Sequence, residues 1–138
     1  MVIVTTMQER INTGGICHIA IDVSDLERST KFYTDMFTMD IASRSNKIVQ
    51  LKTSGADDSF FLFKAEGPVN PRGCGMIHSH FGFRIDDRNF DNAMDYIKRN
   101  NIKIRPNPDR EAGKFIYIED PDGYVIQLEP REKGECGG

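Results

Sequence analysis

Three histidines are the side chains of this chain best suited to bind a metal: His18, His78 and His80. His18 and His80 occupy matching places, each in the first predicted strand of a strand–helix–three-strand pattern that occurs twice. Imidazole nitrogen is a common ligand of zinc, iron, nickel and manganese. Two histidines and one oxygen ligand leave positions open for a substrate, as metal-assisted catalysis requires. The matched pair therefore favours a metal site over the alternative, two core histidines bonded to backbone carbonyls.

The last predicted strand supplies polar side chains that could complete such a site. Gln127 and Glu129 stand two residues apart, so they share one face of that strand. Because Ile126 and Leu128 between and beside them are apolar, the polar pair needs either water or a buried partner. Tyr117 lies in the preceding predicted strand, and its hydroxyl could donate a proton or hydrogen bond to a bound substrate. The alternative for Tyr117 is an ordinary strand aromatic.

A tight turn is predicted between these two strands. Pro121 sets φ where the turn begins, Asp122 can bond its own backbone, and Gly123 accepts a positive φ. Apolar, β-prone residues flank the turn on both sides. Residues 115–128 are therefore predicted to form a β-hairpin.

In the first copy of the pattern, the spacing of apolar side chains predicts the elements that position His18. A strand at 16–23 leads into a helix that begins with a capping box, Ser24 and Glu27, and ends near Phe37. Three short strands are predicted after the helix, at 41–43, 48–53 and 60–63.

The second copy repeats the order. A strand at 76–85 precedes a helix whose apolar positions lie within 90–97. Asn100 and Asn101 are predicted as left-handed caps at its end. A short strand at 102–104 then precedes the hairpin.

Two copies of one pattern predict an α+β fold. Because each half alone would leave a sheet face uncovered, we expect two paired βαβββ modules that form a curved mixed sheet around a cavity. We assign a lead-in at 1–15, modules at 16–66 and 76–130, a linker rich in proline and glycine at 67–75, and a flexible tail at 131–138.

The composition excludes several classes of function. The chain has 138 residues, a net charge of −3 and no basic cluster, which argues against nucleic-acid binding. Its apolar runs are too short to span a bilayer, and its N-terminus lacks the features of a secretory signal. An odd number of scattered cysteines, Cys17, Cys74 and Cys136, favours reduced thiols. We therefore expect a cytoplasmic protein with a small-molecule substrate and no nucleic-acid or membrane partner.

Several motifs together resemble the vicinal oxygen chelate superfamily. That superfamily includes glyoxalase I, extradiol dioxygenases, fosfomycin-resistance thiol transferases and metal-free bleomycin-binding proteins. The resemblance covers about residues 16–130 and rests on the doubled module and on four stretches of sequence: CHIAIDV at 17–23, LERSTKFY at 26–33, SHFGFRI at 79–85 and DPDGY at 120–124. It implies the fold directly, whereas members of the superfamily catalyse many different reactions.

The resemblance implies a divalent metal (Fe, Mn, Ni or Zn) held by His18, His80 and Gln127. The last ligand of the superfamily is usually a Glu four residues after the turn glycine, and Gln127 stands at that place. Tyr117 matches a tyrosine of the dioxygenases and thiol transferases, and Glu129 shares the strand face of Gln127; either is a candidate catalytic residue that would move a proton. A homodimer whose modules pair between the two subunits is also implied.

Two classes of function remain open on these grounds. The first is a small metal-dependent lyase, dioxygenase or thiol transferase acting on a substrate with adjacent oxygens. The alternative is a metal-free protein that binds a small, antibiotic-like molecule and confers resistance. In either class phenylalanines would form an apolar wall of the cavity, unless they pack beneath the helices. The candidates for this wall are Phe60, Phe61, Phe63, Phe81, Phe83 and Phe115.

Overall fold

The computed structural model describes residues 10–71, 79–105 and 115–131, which form two modules of one design. The first module contains β1 (His18–Val23), α1 (Leu26–Met36), β2 (Met39–Arg44), β3 (Ile48–Thr53) and β4 (Ser59–Lys64). The second contains β5 (Phe81–Asp86), a 3₁₀ turn (Asp87–Asn89), α2 (Phe90–Arg99), β6 (Ile104–Arg105), β7 (Ile116–Glu119) and β8 (Val125–Arg131). The predicted α+β fold of two βαβββ modules is confirmed.

Each module arranges its four strands as one mixed sheet. The strand orders are β1–β4–β3–β2 and β5–β8–β7–β6. β1 and β5 pair in parallel with the last strand of their own module, whereas the remaining pairs are antiparallel. The first strand of each module is therefore an edge strand, with one side unpaired in its sheet.

The inner faces of both sheets and the two helices enclose one hydrophobic core. Its buried residues come from both modules and include Val23, Leu51, Leu62, Ile97, Ile118, Ile126 and Leu128. Aromatic rings join the modules directly: the ring centroids of Phe37 and Phe83 are 4.5 Å apart, and those of Phe60 and Phe81 are 5.4 Å apart. Because successive strand residues point to opposite faces, every second side chain lies on an outer face, directed away from this core.

Helix α1 has a different N-cap from the predicted one. The cap is Asp25, whose carboxylate accepts a hydrogen bond from the backbone amide of Arg28 at 3.0 Å. The predicted capping box of Ser24 and Glu27 is wrong. Ser24 instead donates hydrogen bonds to Asp122 in the other module. Asp25, the residue after Ser24, accepts the hydrogen bond from the first turn of the helix.

Of the two asparagines predicted as left-handed caps at the end of helix α2, one has that conformation. Asn101 adopts the left-handed conformation with φ of 53°, whereas Asn100 has φ of −102° and does not. One left-handed residue is enough to turn the chain away from the helix axis towards β6. In the described part of the chain, no helix is both long and apolar enough to cross a membrane.

The predicted hairpin forms between β7 and β8. Gly123 has φ of 94°, and its amide donates to the carbonyl of Asp120 at 3.0 Å, which closes the turn. The carboxylate that organises the turn is that of Asp120 rather than Asp122. Its Oδ1 accepts hydrogen bonds from the amides of Asp122 and Tyr124, each at 2.9 Å.

The same turn docks onto the first module through hydrogen bonds, among which the one from Tyr33 is buried. The Tyr33 hydroxyl, on α1, donates to Oδ2 of Asp120 at 2.7 Å. The Ser24 amide donates to Oδ2 of Asp122 at 3.1 Å, and the Ser24 hydroxyl donates to Oδ1 of the same carboxylate. These cross-module hydrogen bonds fix the start of β8 against the first module.

Burial raises the pKa of both Tyr33 and Asp120. Burial, followed by the charge of Asp120, raises the pKa of Tyr33 well above its ordinary range, so the phenol remains a donor. Burial also raises the pKa of Asp120, although the hydrogen bonds from Tyr33 and from the turn amides oppose this rise. Asp120 therefore holds its proton to a higher pH in the folded state than in the unfolded state. Its ionisation makes stability fall as the pH rises from the unfolded-state pKa to the folded-state pKa.

Removing the Tyr33 hydroxyl should destabilise the protein most at neutral pH. In Tyr33→Phe the ionised Asp120 loses a donor, which we expect to cost about 1.5–3 kcal/mol in the free energy of unfolding. The cost should shrink as the pH falls below the raised pKa of Asp120, because a protonated carboxyl gains less from the phenol. Urea denaturation across a pH series measures both effects.

Tyr96→Phe is the matched control for this variant. Tyr96 lies on α2 and is half-buried, and within the described residues its hydroxyl makes no hydrogen bond. The Tyr96→Phe variant should therefore lose little stability at any pH. A Tyr33→Phe cost that is equal at neutral and acidic pH would contradict the assigned role of the Asp120 charge.

Candidate metal centre

His80 and Gln127 meet on the outer face of the second sheet. His80 directly precedes β5, and Nε2 of its ring lies 2.8 Å from Oε1 of Gln127 on β8. In the parallel register of these strands, Gly82 is the partner of Gln127. A Cβ built on Gly82 would lie 3.0 Å from the Gln127 carbonyl oxygen and 3.2 Å from its Cβ. The absence of a side chain at Gly82 therefore lets β8 bring Gln127 close to β5 and within reach of His80.

The separation of these two atoms fits two ligands of one metal. Nitrogen and oxygen ligands bind divalent metals at about 2.0–2.2 Å. Two such ligands at right angles around one ion stand about 3 Å apart, close to the 2.8 Å between Nε2 and Oε1. In the absence of metal, the same atoms satisfy each other as donor and acceptor.

Tyr117 lies beside this pair. In the antiparallel register of β7 and β8 it is directly opposite Gln127. Its ring is edge-on to the His80 ring, with the centroids 5.1 Å apart, and Phe115 packs behind it at 5.5 Å. Within the described residues its hydroxyl makes no hydrogen bond. The structure thus brings together three of the five predicted site residues: His80, Gln127 and Tyr117.

Glu129 shares the outer face with Gln127 but lies further along β8. Two residues of strand place it about 6.6 Å from Gln127. Its register partner is Arg84 of β5, which sits on the same outer face as Gly82. The sequence interpretation missed Arg84, although its signal was present: the core residues Phe81, Phe83 and Ile85 alternate with His80, Gly82 and Arg84.

His18 lies on the outer face of the first sheet. Its Nδ1 is 3.1 Å from Sγ of Cys17, and its ring meets the edge of Phe61 with centroids 5.5 Å apart. These described contacts all belong to the first module, whereas Gln127 and Tyr117 beside His80 belong to the second. Because both outer faces point away from one core, the described contacts of a single chain do not join the two histidines.

Strand alternation divides the predicted phenylalanine wall into two groups. Phe60, Phe81 and Phe83 lie in or against the core, as the alternative of packing beneath the helices predicts. Phe61 and Phe63 lie on the outer face of the first sheet, the face of His18. Phe115, which packs on Tyr117, lies on the outer face of the second.

Some predicted features fall outside the residues that the structure describes. These are His78, Cys74, Cys136, the lead-in up to residue 9, the predicted linker from residue 72 and the predicted tail from residue 132. Among the described residues, no group of three or more His, Cys, Asp or Glu could hold a metal. Gln127 is not one of these four residue types. His18 lies on the outer face of the other sheet, so it does not join His80 in such a group.

The sequence of this chain is similar to those of known proteins. The family model described as Glyoxalase/Bleomycin resistance protein/Dioxygenase superfamily matches residues 15–128. The metallothiol transferase FosB of Staphylococcus epidermidis is 31% identical over 114 residues, which cover 80% of this chain and 78% of that protein. FosB of Staphylococcus haemolyticus is 28% identical over 116 residues, which cover 83% of this chain and 81% of that protein.

Solved structures share the fold. The fosfomycin resistance protein FosX from Listeria monocytogenes, crystallised with manganese(II) and a sulfate ion, superposes with a TM-score of 0.72 at 21% identity. The match covers 88% of this chain and 94% of that chain. The residues that the family model matches include both modules and the part of β8 that carries Gln127. The chain therefore belongs to the glyoxalase/bleomycin resistance protein/dioxygenase superfamily.

Proposed function

We propose that this protein is a metal-dependent enzyme that acts on a small molecule with two adjacent oxygens. The observation that carries the proposal is the 2.8 Å contact between His80 Nε2 and Gln127 Oε1, with Tyr117 beside it. The thiol-transferase type is favoured among the reactions of the superfamily, because the FosB relatives are metallothiol transferases.

The residues of the site divide into ligands and proton carriers. His80 and Gln127 would hold a divalent metal (Fe, Mn, Ni or Zn) together with His18. The metal, when bound, would polarise the substrate oxygens as a Lewis acid. The Tyr117 hydroxyl donates a hydrogen bond to the bound substrate. Glu129, further along β8 on the same outer face, takes a proton from the substrate or returns one to it. Manganese is supported by the manganese-bound FosX structure.

The site is completed in a homodimer. His18 and His80 lie on outer faces that point away from the shared core, and both belong to the edge-strand regions of their sheets. In such a dimer, the outer face of the first sheet of one copy covers the outer face of the second sheet of the other copy. Each site then takes His18 from one copy and His80 and Gln127 from the other.

Gln127 also supports a second candidate function, a metal-free binding protein. An amide oxygen carries no net charge, so it attracts a dication less strongly than the carboxylate that usually stands at this place in the superfamily. Phe61 and Phe63 on the outer face would then contact an apolar ligand.

Replacing the amide by a carboxylate distinguishes the two functions. Gln127→Glu keeps the shape of the side chain and adds a negative charge beside His80. If His80 and Gln127 are ligands, manganese(II) binding should tighten, roughly tenfold for each additional 1.4 kcal/mol of attraction. Calorimetric titration of wild type and variant with manganese(II), nickel(II) and zinc(II) measures the change.

Glu129→Gln is the matched control, since it makes the reverse change two residues away on the same face. It should leave metal affinity close to wild type. Loss of metal in Glu129→Gln, with no gain in Gln127→Glu, would make Glu129 the ligand instead. No metal uptake by any of the three proteins would refute the enzyme and favour the metal-free binding protein.

Mixing two inactive variants tests whether the site is shared. His18→Ala and His80→Ala should each lose manganese(II) binding when alone. A refolded equal mixture should regain up to about a quarter of the wild-type sites, because half of the dimers are mixed and each mixed dimer has one complete site. Recovery of no sites in a mixture that sediments as dimers would place both histidines in one chain's site. A wild-type protein that sediments as a monomer at every concentration would refute the dimer itself.

A further inference from the structure

His18 contacts the side chain of Cys17, the residue directly before it in the chain. Nδ1 of His18 lies 3.1 Å from the Cys17 sulfur. We propose that Cys17 is a positioning residue, which accepts a hydrogen bond from the Nδ1–H group of His18 and so leaves Nε2 free to bind the metal. This inference rests on the proposed function, because it assigns His18 to the metal.

The chemistry of a ligating imidazole requires such an acceptor. A neutral imidazole carries one proton, and the nitrogen that binds a metal must be the other one. Histidine ligands almost always donate the remaining N–H group to an acceptor, which fixes both the tautomer and the orientation of the ring. Among the described contacts of His18, Cys17 is the one that reaches Nδ1, so the ligating atom is Nε2.

The atoms used by His80 are consistent with this assignment. His80 presents Nε2 to Gln127 on the outer face of its sheet. If Nε2 is also the ligating atom of His18, the two matched histidines bind through the same nitrogen. Phe61 supports the His18 ring from a second direction, edge-on at 5.5 Å. The ring is therefore held by one polar and one aromatic contact.

The repeat supplies a control for Cys17. Ser79 directly precedes His80, as Cys17 precedes His18. Within the described residues Ser79 makes no hydrogen bond, and its side chain is exposed. Ser79→Ala should therefore leave the tautomer of His80 and the affinity for metal unchanged, and it has the same local context as a substitution of Cys17.

The first experiment reads the tautomer directly and needs no metal. Long-range proton–nitrogen NMR spectra of metal-free protein with ¹⁵N-labelled histidine show which ring nitrogen carries the proton. Recorded under reducing conditions, wild type should show His18 with the proton on Nδ1. Cys17→Ala should shift His18 towards the Nε2–H form, whereas Cys17→Ser, which retains an acceptor, should keep the wild-type form. A wild-type His18 that carries the proton on Nε2, or a tautomer unchanged in Cys17→Ala, would overturn the inference.

The second experiment measures metal affinity in the same proteins. Loss of an outer acceptor typically lowers metal affinity 10–100-fold, so Cys17→Ala should bind manganese(II) about tenfold more weakly. Cys17→Ser should retain most of the affinity, and Ser79→Ala all of it. Equal manganese(II) affinity of Cys17→Ala and a wild type that binds the metal would contradict the role of Cys17. A wild type that binds no metal would refute the proposed function, and the NMR result would still decide whether Cys17 sets the tautomer.

Discussion

One core shared by two sheets is the constraint on which the rest of the structure depends. Both sheets bury their inner faces against the same set of apolar side chains, so every second residue of each strand is committed to packing. The remaining residues lie on two outer faces. Along β5 and the residue before it, this leaves His80, Gly82 and Arg84 outside, while Phe81 and Phe83 pack in or against the core. The candidate site is therefore built from positions that the core does not use.

The docked turn between β7 and β8 links that core to the site. Three donors, the Tyr33 hydroxyl and two turn amides, converge on the Asp120 carboxylate, which offsets the cost of burying it. Tyr124 adds a further bond from its hydroxyl to the carbonyl of Asp22 at 2.7 Å. The turn is thus held from both sides, and β8 leaves it with Gln127 at a defined position beside β5.

The charge of the site differs from that expected of a dication centre. An amide at Gln127 accepts a hydrogen bond from His80 without any charge, so the pair is stable with no ion bound. A carboxylate at this place would attract both a metal and a proton. As a metal ligand, the neutral amide would bind a dication more weakly than a carboxylate and release it more readily. Arg84 and Glu129, opposite each other further along the same face, add one charge of each sign and little net field.

The sequence by itself determined the elements, their order and their duplication. These depend on signals that lie within a few residues of one another: apolar spacing, the turn residues before Gly123 and the left-handed Asn101. It also put Tyr117 and Gln127 on the two strands of one hairpin. The register that sets them opposite each other is a finding of the structure. Two histidines at matching places followed from the repeat alone.

Only the tertiary structure decided which faces these elements present and to what. Ser24 caps no helix because Asp122, distant in sequence, takes its hydrogen bonds. The phenylalanines sort between core and outer face only once the position of the core is known. His18 and His80 match in sequence but lie on separate outer faces, since packing two sheets around one core turns their other faces apart. Such contacts join residues far apart along the chain, and no local pattern of residues records them.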